Sequence, residues 1–372
     1  MATRYQPLLL HQATGAVLEI PTDYSGLRYV KTVCGVGWFE LALPGTFAIG
    51  QERRYKDWRL VVWRQPEGGR EYIDFAGFVR DVDRIYRDGD YVLRLAGPCY
   101  NDVLSRRIVA YFASTAQSRK AAAAADDQMK AFVRENLGAS ATDTARDISA
   151  YLSVQANLGA GTSLSKGAAW QGLFETLRGL YESSQRTPAT AAFFGVVPLG
   201  DGYDMEFRTR VGQWGQDHRY PDGADGAVVF DIERGNMTSA HERYRSSDEV
   251  TDIYGVGEGQ NELRLQVHVA DTDRRADSVL NRREGTYENP GVALTTELTD
   301  EAQKRLESGE PEETFTATIR NIPGCEYGKH WDVGDRVTVL WLDEQIDMHV
   351  AVVDVRVTET GEDINAGLRA WP

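Results

Sequence analysis

The sequence predicts an α+β fold that is mainly β: two small antiparallel β-barrels related by internal duplication, with α+β domains between them. Three observations lead there. "DRVTVLW" at 335–341 echoes "DWRLVVW" at 57–63. The segment from Asp74, "DFAGFVRDVDRIYRDGDYVLRLAG", lies without a gap over "DMHVAVVDVRVTETGEDINAGLRA" from Asp347. Helical spacing is concentrated between these two copies.

The echo assigns equivalent barrel positions. Asp57, Val61 and Trp63 meet Asp335, Val339 and Trp341, and at a constant offset downstream Asp74, Val79, Asp81, Val82, Asp90 and Leu95 meet identical residues. Side chains alternate across a strand, so a slip of one residue would invert the pattern. The faces agree instead: Tyr91, Leu93 and Leu95 match Ile364, Ala366 and Leu368. Upstream, Phe39, Leu41 and Leu43 of "WFELAL" alternate like Phe315, Ala317 and Ile319 of "TFTATI". "RDGD" at 87–90 and "TGED" at 360–363 are the hairpin turns. These boundaries give a first barrel over 1–100, an α+β lateral domain over 101–245, and a second barrel over 246–372 with a short α+β insertion at about 270–312. Residues 1–35 hold strand-like pieces without a clean alternation.

Between the copies, "DDQMKAFVRENLG" opens on acids, spaces Met129, Phe132, Val133 and Leu137 as one helical face, and stops at Gly138. "AAWQGLFETLRGLYESSQ" repeats that spacing with Trp170, Leu173, Leu177, Leu180 and Tyr181, which puts Trp170 on the apolar stripe. The alanine run at 121–125 reads as a helix lead-in or linker. "AAFFGVVPLGDGYDMEFRTRV" is a hairpin turning at Gly200–Gly202 and packing on those helices. "EVTDIYGVGEGQNELRLQVHVADT" supplies two more strands, and "TDEAQKRLESG" a short helix with Thr299 as its cap.

Composition narrows the function. The 372 residues exceed what one core usually serves, and 42% apolar with 26% charged is ordinary for a globular chain. No apolar run reaches a membrane span, and the start lacks a signal-peptide pattern. Cys34, Cys99 and Cys325 have no C-x-x-C spacing, so they read as reduced, mostly buried thiols. A formal charge of −15 disfavours sequence-reading nucleic-acid binders.

Catalytic patterns are missing from the sequence: no G-x-S-x-G, H-E-x-x-H or G-x-x-x-x-G-K-[ST] occurs. "YGVGEGQ" precedes a strand rather than a phosphate-holding helix. His218 and His241 have acids nearby yet read as structural or surface histidines. The sequence therefore predicts no enzyme, cofactor or metal.

"FAGFVRDVDR", "LRLAGPCYNDVLSRRIVAY", "MKAFVRENLGA", "MEFRTRVGQWGQDHRY" and "VLNRREGTYENPG" together resemble the tail-tip (baseplate) hub proteins of long-tailed siphophages, almost end to end. These are similar in fold to the baseplate hub family of contractile tails and injection systems. The resemblance implies a homotrimer whose subunits each place two small barrels around a channel, with α+β domains outside. A tail tube is sixfold and a central fibre or spike commonly threefold, so three subunits with two barrels each act as a symmetry adaptor. It further implies a virion tail-tip location after assembly in the host cytoplasm. The partners it implies are a distal tail protein ring or the last tube ring, the tape-measure protein and a central fibre or spike, with DNA only passing through the lumen. Asp81, Asp83, Asp354, Glu362 and Asp363 are then candidates for an acidic lining that lets DNA slide. The alternatives are a cell-wall hydrolase or a carbohydrate- or receptor-binding tail protein, for which an exposed tryptophan is the clue; of Trp170 and Trp214, the glycine-flanked Trp214 is the better candidate for exposure.

Overall fold

In the computed structural model the described residues are 3–45, 56–87, 89–110, 118–185, 187–221, 226–358 and 361–370. The chain opens with eight strands: β1 (Arg4–Leu10), β2 (Val17–Glu19), β3 (Gly26–Thr32), β4 (Trp38–Pro44), β5 (Arg59–Gln65), β6 (Tyr72–Phe78), β7 (Asp81–Arg87) and β8 (Asp90–Pro98). The middle holds α1 (Asp102–Ser105), β9 (Ser118–Ala124), α2 (Ala125–Leu137), β10 (Leu152–Val154), β11 (Ser163–Ala168), α3 (Leu173–Ser184), β12 (Ala192–Leu199), β13 (Asp204–Val211) and β14 (Val229–Asp231). The last third carries β15 (Met237–Arg245), β16 (Asp252–Val256), β17 (Gln266–Ala270), α4 (Thr272–Ala276), β18 (Glu284–Glu288), α5 (Thr295–Glu307), β19 (Glu312–Ile319), β20 (Arg336–Trp341), β21 (Glu344–Thr358) and β22 (Gly361–Ala370). The chain is thus mostly β with several sheets, the class the sequence predicts.

Two compact units result, one of residues 1–240 with 316–372, the other of 241–315. One large sheet, mainly of the first unit, runs β15-β19-β22-β21-β3-β4-β8-β7. It is two four-stranded halves in tandem, joined where β21 pairs antiparallel with β3. A second sheet, β2-β1-β5-β6, faces the β3-β4-β8-β7 half. Phe75 of β6 meets Tyr29 of β3 at 5.3 Å between ring centroids and Phe39 of β4 at 5.9 Å. Alternation fills the space between them with Phe39, Leu41, Leu43, Leu93 and Leu95, all essentially inaccessible. Asp88 and Thr360, within the two expected hairpin turns, lie outside the described residues; the strands on either side, β7 with β8 and β21 with β22, pair antiparallel.

A helical layer backs this unit. Met129, Phe132, Val133 and Leu137 of α2 are fully buried, as the spacing predicts, and share a core with Leu173, Leu177 and Leu180 of α3, with Phe193, Phe194 and Phe207 of the β12–β13 hairpin, and with Val61 of β5. Three local expectations fail. Trp170 precedes α3 rather than joining it, with φ 59°, and is 60% exposed; the helix starts at Leu173, with Gly172 at its N-cap. The alanine run is mostly strand, because β9 finds ladder partners in β11. Thr299 lies inside α5, where its hydroxyl donates to the Thr295 carbonyl at 2.8 Å instead of capping.

The smaller unit is a three-stranded sheet, β17-β16-β18, with α5 on one face. Ile253 packs against Ala302 and Leu306 of that helix. At Gly255 a Cβ would lie 3.1 Å from Ala302, so the close approach of strand and helix requires glycine there.

Candidate functional site

The register of the large sheet sorts the predicted acids onto faces. Glu40 pairs with Arg28, Arg28 with Arg356, and Arg356 with Asp363. On the other side Glu40 pairs with Ala96, Ala96 with Asp81, and Arg94 with Asp83. Partners directly opposite share a face, so Asp81, Asp83, Asp354 and Asp363 all lie on the face turned away from the barrel core. Glu40 and Asp90 belong to the same face, as do Arg28, Arg94 and Arg356. Glu362, one residue from Asp363, points to the opposite side.

These acids differ in what they meet. Arg28 holds Asp354 with two hydrogen bonds of 3.0 and 2.6 Å, and Arg94 holds Glu40. Asp81, Asp83 and Asp363 are exposed. Glu362 belongs to a buried lock instead: it accepts from both Arg64 Nη2 and Tyr5 Oη, and from Asn321 Nδ2 at 2.6 Å.

That lock continues under the sheet. Arg64, 1% exposed, donates to the Tyr327 carbonyl at 2.7 Å and to Tyr5 Oη at 2.8 Å. Asp74 accepts from Tyr29 Oη at 2.5 Å, Lys31 Nζ at 2.7 Å and Tyr327 Oη at 2.8 Å, and Lys31 also reaches Asp332 at 2.6 Å. Burial pushes the Asp74 carboxyl up, but Lys31 and Arg64 outweigh it and hold it below the usual carboxylate range. Gly328, at φ 71°, passes so close that a Cβ would strike Tyr72 Oη and Arg64 Nη1. The lock therefore ties β3, β5 and β6 to β22 and the 321–332 loop. A buried charge stripped of one partner is costly, so loss of any one of these groups destabilises the strands it joins.

Beside the lock lies a cavity of about 720 Å³ lined by Lys31, Trp63, Asp74, Trp214, His218 and Asp335. Asp335 accepts from the Gln216 and Asp332 amides, each at 2.6 Å, and His218 Nε2 lies 3.7 Å away. Burial pushes the Asp335 carboxyl up to about 6 despite those bonds. Its sequence counterpart Asp57 is instead half-exposed and paired with Arg80 and Arg106. Val61 and Val339 are both fully buried, whereas Trp63 and Trp341 are half-buried. Trp214, expected outside, is half-buried against the core. All three cysteines are free thiols; burial pushes Cys99 up to about 11. Among the described residues no group of three metal-ligating side chains occurs, and no helix is long and apolar enough to cross a membrane.

The sequence alone did not single out Arg28, Glu40, Arg94, Arg356 or the lock. Glu40 was within reach, since it alternates with Phe39 and Leu41; the lock joins residues up to 357 positions apart and leaves no local signal.

A family model described as siphovirus ReqiPepy6 Gp37-like protein matches residues 10–371. The chain belongs to that family. It is a siphovirus-type protein, and no catalytic family is indicated. Among solved structures, the 43 kDa tail protein of prophage MuSo2 from Shewanella oneidensis is similar at 12% identity and TM-score 0.60, over 99% of this chain and 98% of that one. A tail protein from Neisseria meningitidis MC58 is similar at 11% identity and TM-score 0.57, over 99% and 98%. Prophage tail protein gp18 from Listeria monocytogenes EGD-e follows at 10% and 0.51, over 97% and 94%. At such identities the likeness is one of fold. No curated protein matches.

Proposed function

We propose that the chain is a trimeric tail-tip hub that closes the end of the tail tube, adapts its sixfold symmetry to a threefold central fibre or spike, and forms the channel for genome ejection. The observation that carries this reading is the tandem order β15-β19-β22-β21 and β3-β4-β8-β7. Each half presents its strands in the same sequence of neighbours, and the aligned acids Asp81 and Asp354 fall on the same outward face. An internal duplication accounts for both, and three copies would offer six such halves to a sixfold ring.

In this reading 1–100 and 246–372 supply the barrels, the latter with its insertion and with β15 added from the end of 101–245, and the rest of 101–245 is the lateral domain. The outward face lines the lumen. Exposed Asp81, Asp83, Asp90 and Asp363 outnumber the exposed Arg356 on this face, while Asp354 and Glu40 are neutralised by Arg28 and Arg94, so DNA meets a weakly repulsive wall. The partners are a distal tail or last tube ring, the tape-measure protein and the central fibre or spike. Light scattering on the purified chain tests the stoichiometry: a mass three times 41.4 kDa is expected, and a monomer at every concentration that persists on mixing with the last tube ring contradicts it.

A further inference from the structure

Residues 215–218 run alongside the start of β20. The Gly215 amide donates to the Gly334 carbonyl at 2.9 Å, the Arg336 amide to Gln216 at 2.9 Å and the His218 amide to Arg336 at 2.8 Å. Asp217 is bridged in parallel to Arg336. Alternation therefore turns Asp217 and Arg336 to one face and His218 with Asp335 to the other, and both of the latter line the cavity of about 720 Å³. A Cβ on Gly215 would strike Asp335 Oδ1, so glycine is what lets the two segments close on that carboxylate.

Both side chains are oriented by the backbone. The Gln216 and Asp332 amides hold the Asp335 carboxylate, one on each oxygen. His218 Nδ1 lies 2.8 Å from the Gly226 carbonyl, which can only accept, so Nδ1 carries the hydrogen and Nε2 of the neutral ring is an acceptor. His218 is 5% exposed, and among the described residues nothing donates to Nε2. Its neighbour at 3.7 Å is Asp335 Oδ2, a second acceptor. Two buried acceptors facing one another call for a group that donates to both.

Charge in the cavity wall favours a cation. Asp74 and Asp332 share Lys31, whereas Asp335 meets no lysine or arginine among the described residues, and burial pushes its carboxyl up because no such partner offsets it. Two more cations line the cavity, both exposed: Arg210 donates to the Trp214 carbonyl and Lys329 to Glu326. They oppose a cationic guest and weaken the site. Trp63, Val197 and Pro198 add apolar wall.

We propose that this cavity binds a small organic cation, a primary ammonium or guanidinium on a short apolar stem, whose N–H donors bridge His218 Nε2 and Asp335 Oδ2. Such a head donates in several directions and meets a carboxylate through charge-assisted hydrogen bonds; a tryptophan wall attracts it further. It comes either as a free amine or as a lysine or arginine side chain of another protein. The site is independent of the hub reading, since a single chain contains all of it.

Calorimetry on the full chain at about pH 8, where Asp335 is ionised, tests this. Butylammonium or ethylguanidinium is expected to saturate the chain at millimolar concentration, well ahead of tetramethylammonium, which has the charge without a donor, and of 1-butanol, which has the stem without the charge. A blocked Ala-Lys-Ala peptide binding more tightly than butylammonium identifies a protein side chain as the source; equal or weaker binding identifies a free amine. Asp335→Asn should weaken the cation by about tenfold or more, and Lys329→Glu, at an exposed position, should tighten it severalfold. Should Asp335→Asn fail to fold, the Lys329 variant carries the comparison. Saturation by neither cation, equal binding of tetramethylammonium or butanol, or an affinity unmoved by the substitution that folds overturns the proposal.

Discussion

The β3-β4-β8-β7 half of the large sheet and the β15-β19-β22-β21 half share their order of pairing and the polarity of their faces, but not what lies behind them. Leu93 and Leu95 are as buried as Ala366 and Leu368, and Asp90 is as exposed as its counterpart Asp363. Behind the first half, β6 and β7 are separate strands and Asp74 is the centre of the buried lock. Behind the second, β21 runs unbroken for 15 residues and the aligned Asp347 is half-exposed, paired with Arg219 at 3.2 Å. Tyr91 breaks the facial match: it is 63% exposed and meets Tyr86 with ring centroids 4.7 Å apart, where Ile364 is buried. Strand order and face agree because packing enforces them at every residue. Individual letters outside the core follow what the neighbours of each half require.

The largest expected contrast is therefore between Asp74→Asn and Asp347→Asn. The first leaves Lys31 and Arg64 short of a buried counter-charge and should cost about 3–5 kcal/mol; the second should cost no more than about 1 kcal/mol. Denaturant unfolding of the two variants checks this, and equal costs would erase the distinction between the halves.

Between pH 6.5 and about 4 a histidine-driven pH effect should belong to the second half. Burial, then Arg369 and Arg336, lower His349 to about 4, and its aligned residue in the first half is Ala76. The folded state thus binds fewer protons than the unfolded one between the ordinary value of 6.5 and about 4. Stability is full above 6.5 and falls with pH through that window, by about 3 kcal/mol. Thermal melts of His349→Leu should lose this acid dependence. Asp335, raised to about 6, works with the opposite sign: it favours the folded state as pH falls from above 6 through the ordinary carboxylate range, so Asp335→Asn should steepen the acid loss.

The valine pair sharpens the likeness instead. Val61→Ala and Val339→Ala should each cost about 2 kcal/mol, since both side chains are fully enclosed. Smallest in stability is the outward face: Asp81→Lys with Asp363→Lys should shift unfolding by no more than about 0.5 kcal/mol per site. In assembled particles the same pair should slow genome release, less so as salt rises.

Much of this was legible from residues because strands report burial locally. The alternation of "WFELAL" placed Phe39, Leu41 and Leu43 in the core, and the helical period of 126–138 fixed the buried face of α2. Trp170 misled because its spacing fits the stripe of α3 while its own backbone is left-handed and the helix starts three residues later, at Leu173. The pairing of β21 with β3 and the Arg64–Glu362 lock were invisible, as contacts between distant segments obey no period. Of the acids selected from sequence, Asp81, Asp83, Asp354 and Asp363 share a face, and Glu362 was separated from them by a single position of alternation.

The most direct measurement is an electron-microscopy reconstruction of the particle tip with no symmetry imposed. Three copies should appear, their six four-stranded halves forming a ring with Asp81, Asp83 and Asp363 toward the axis. One copy, six copies, or a ring that turns this face outward would contradict the account.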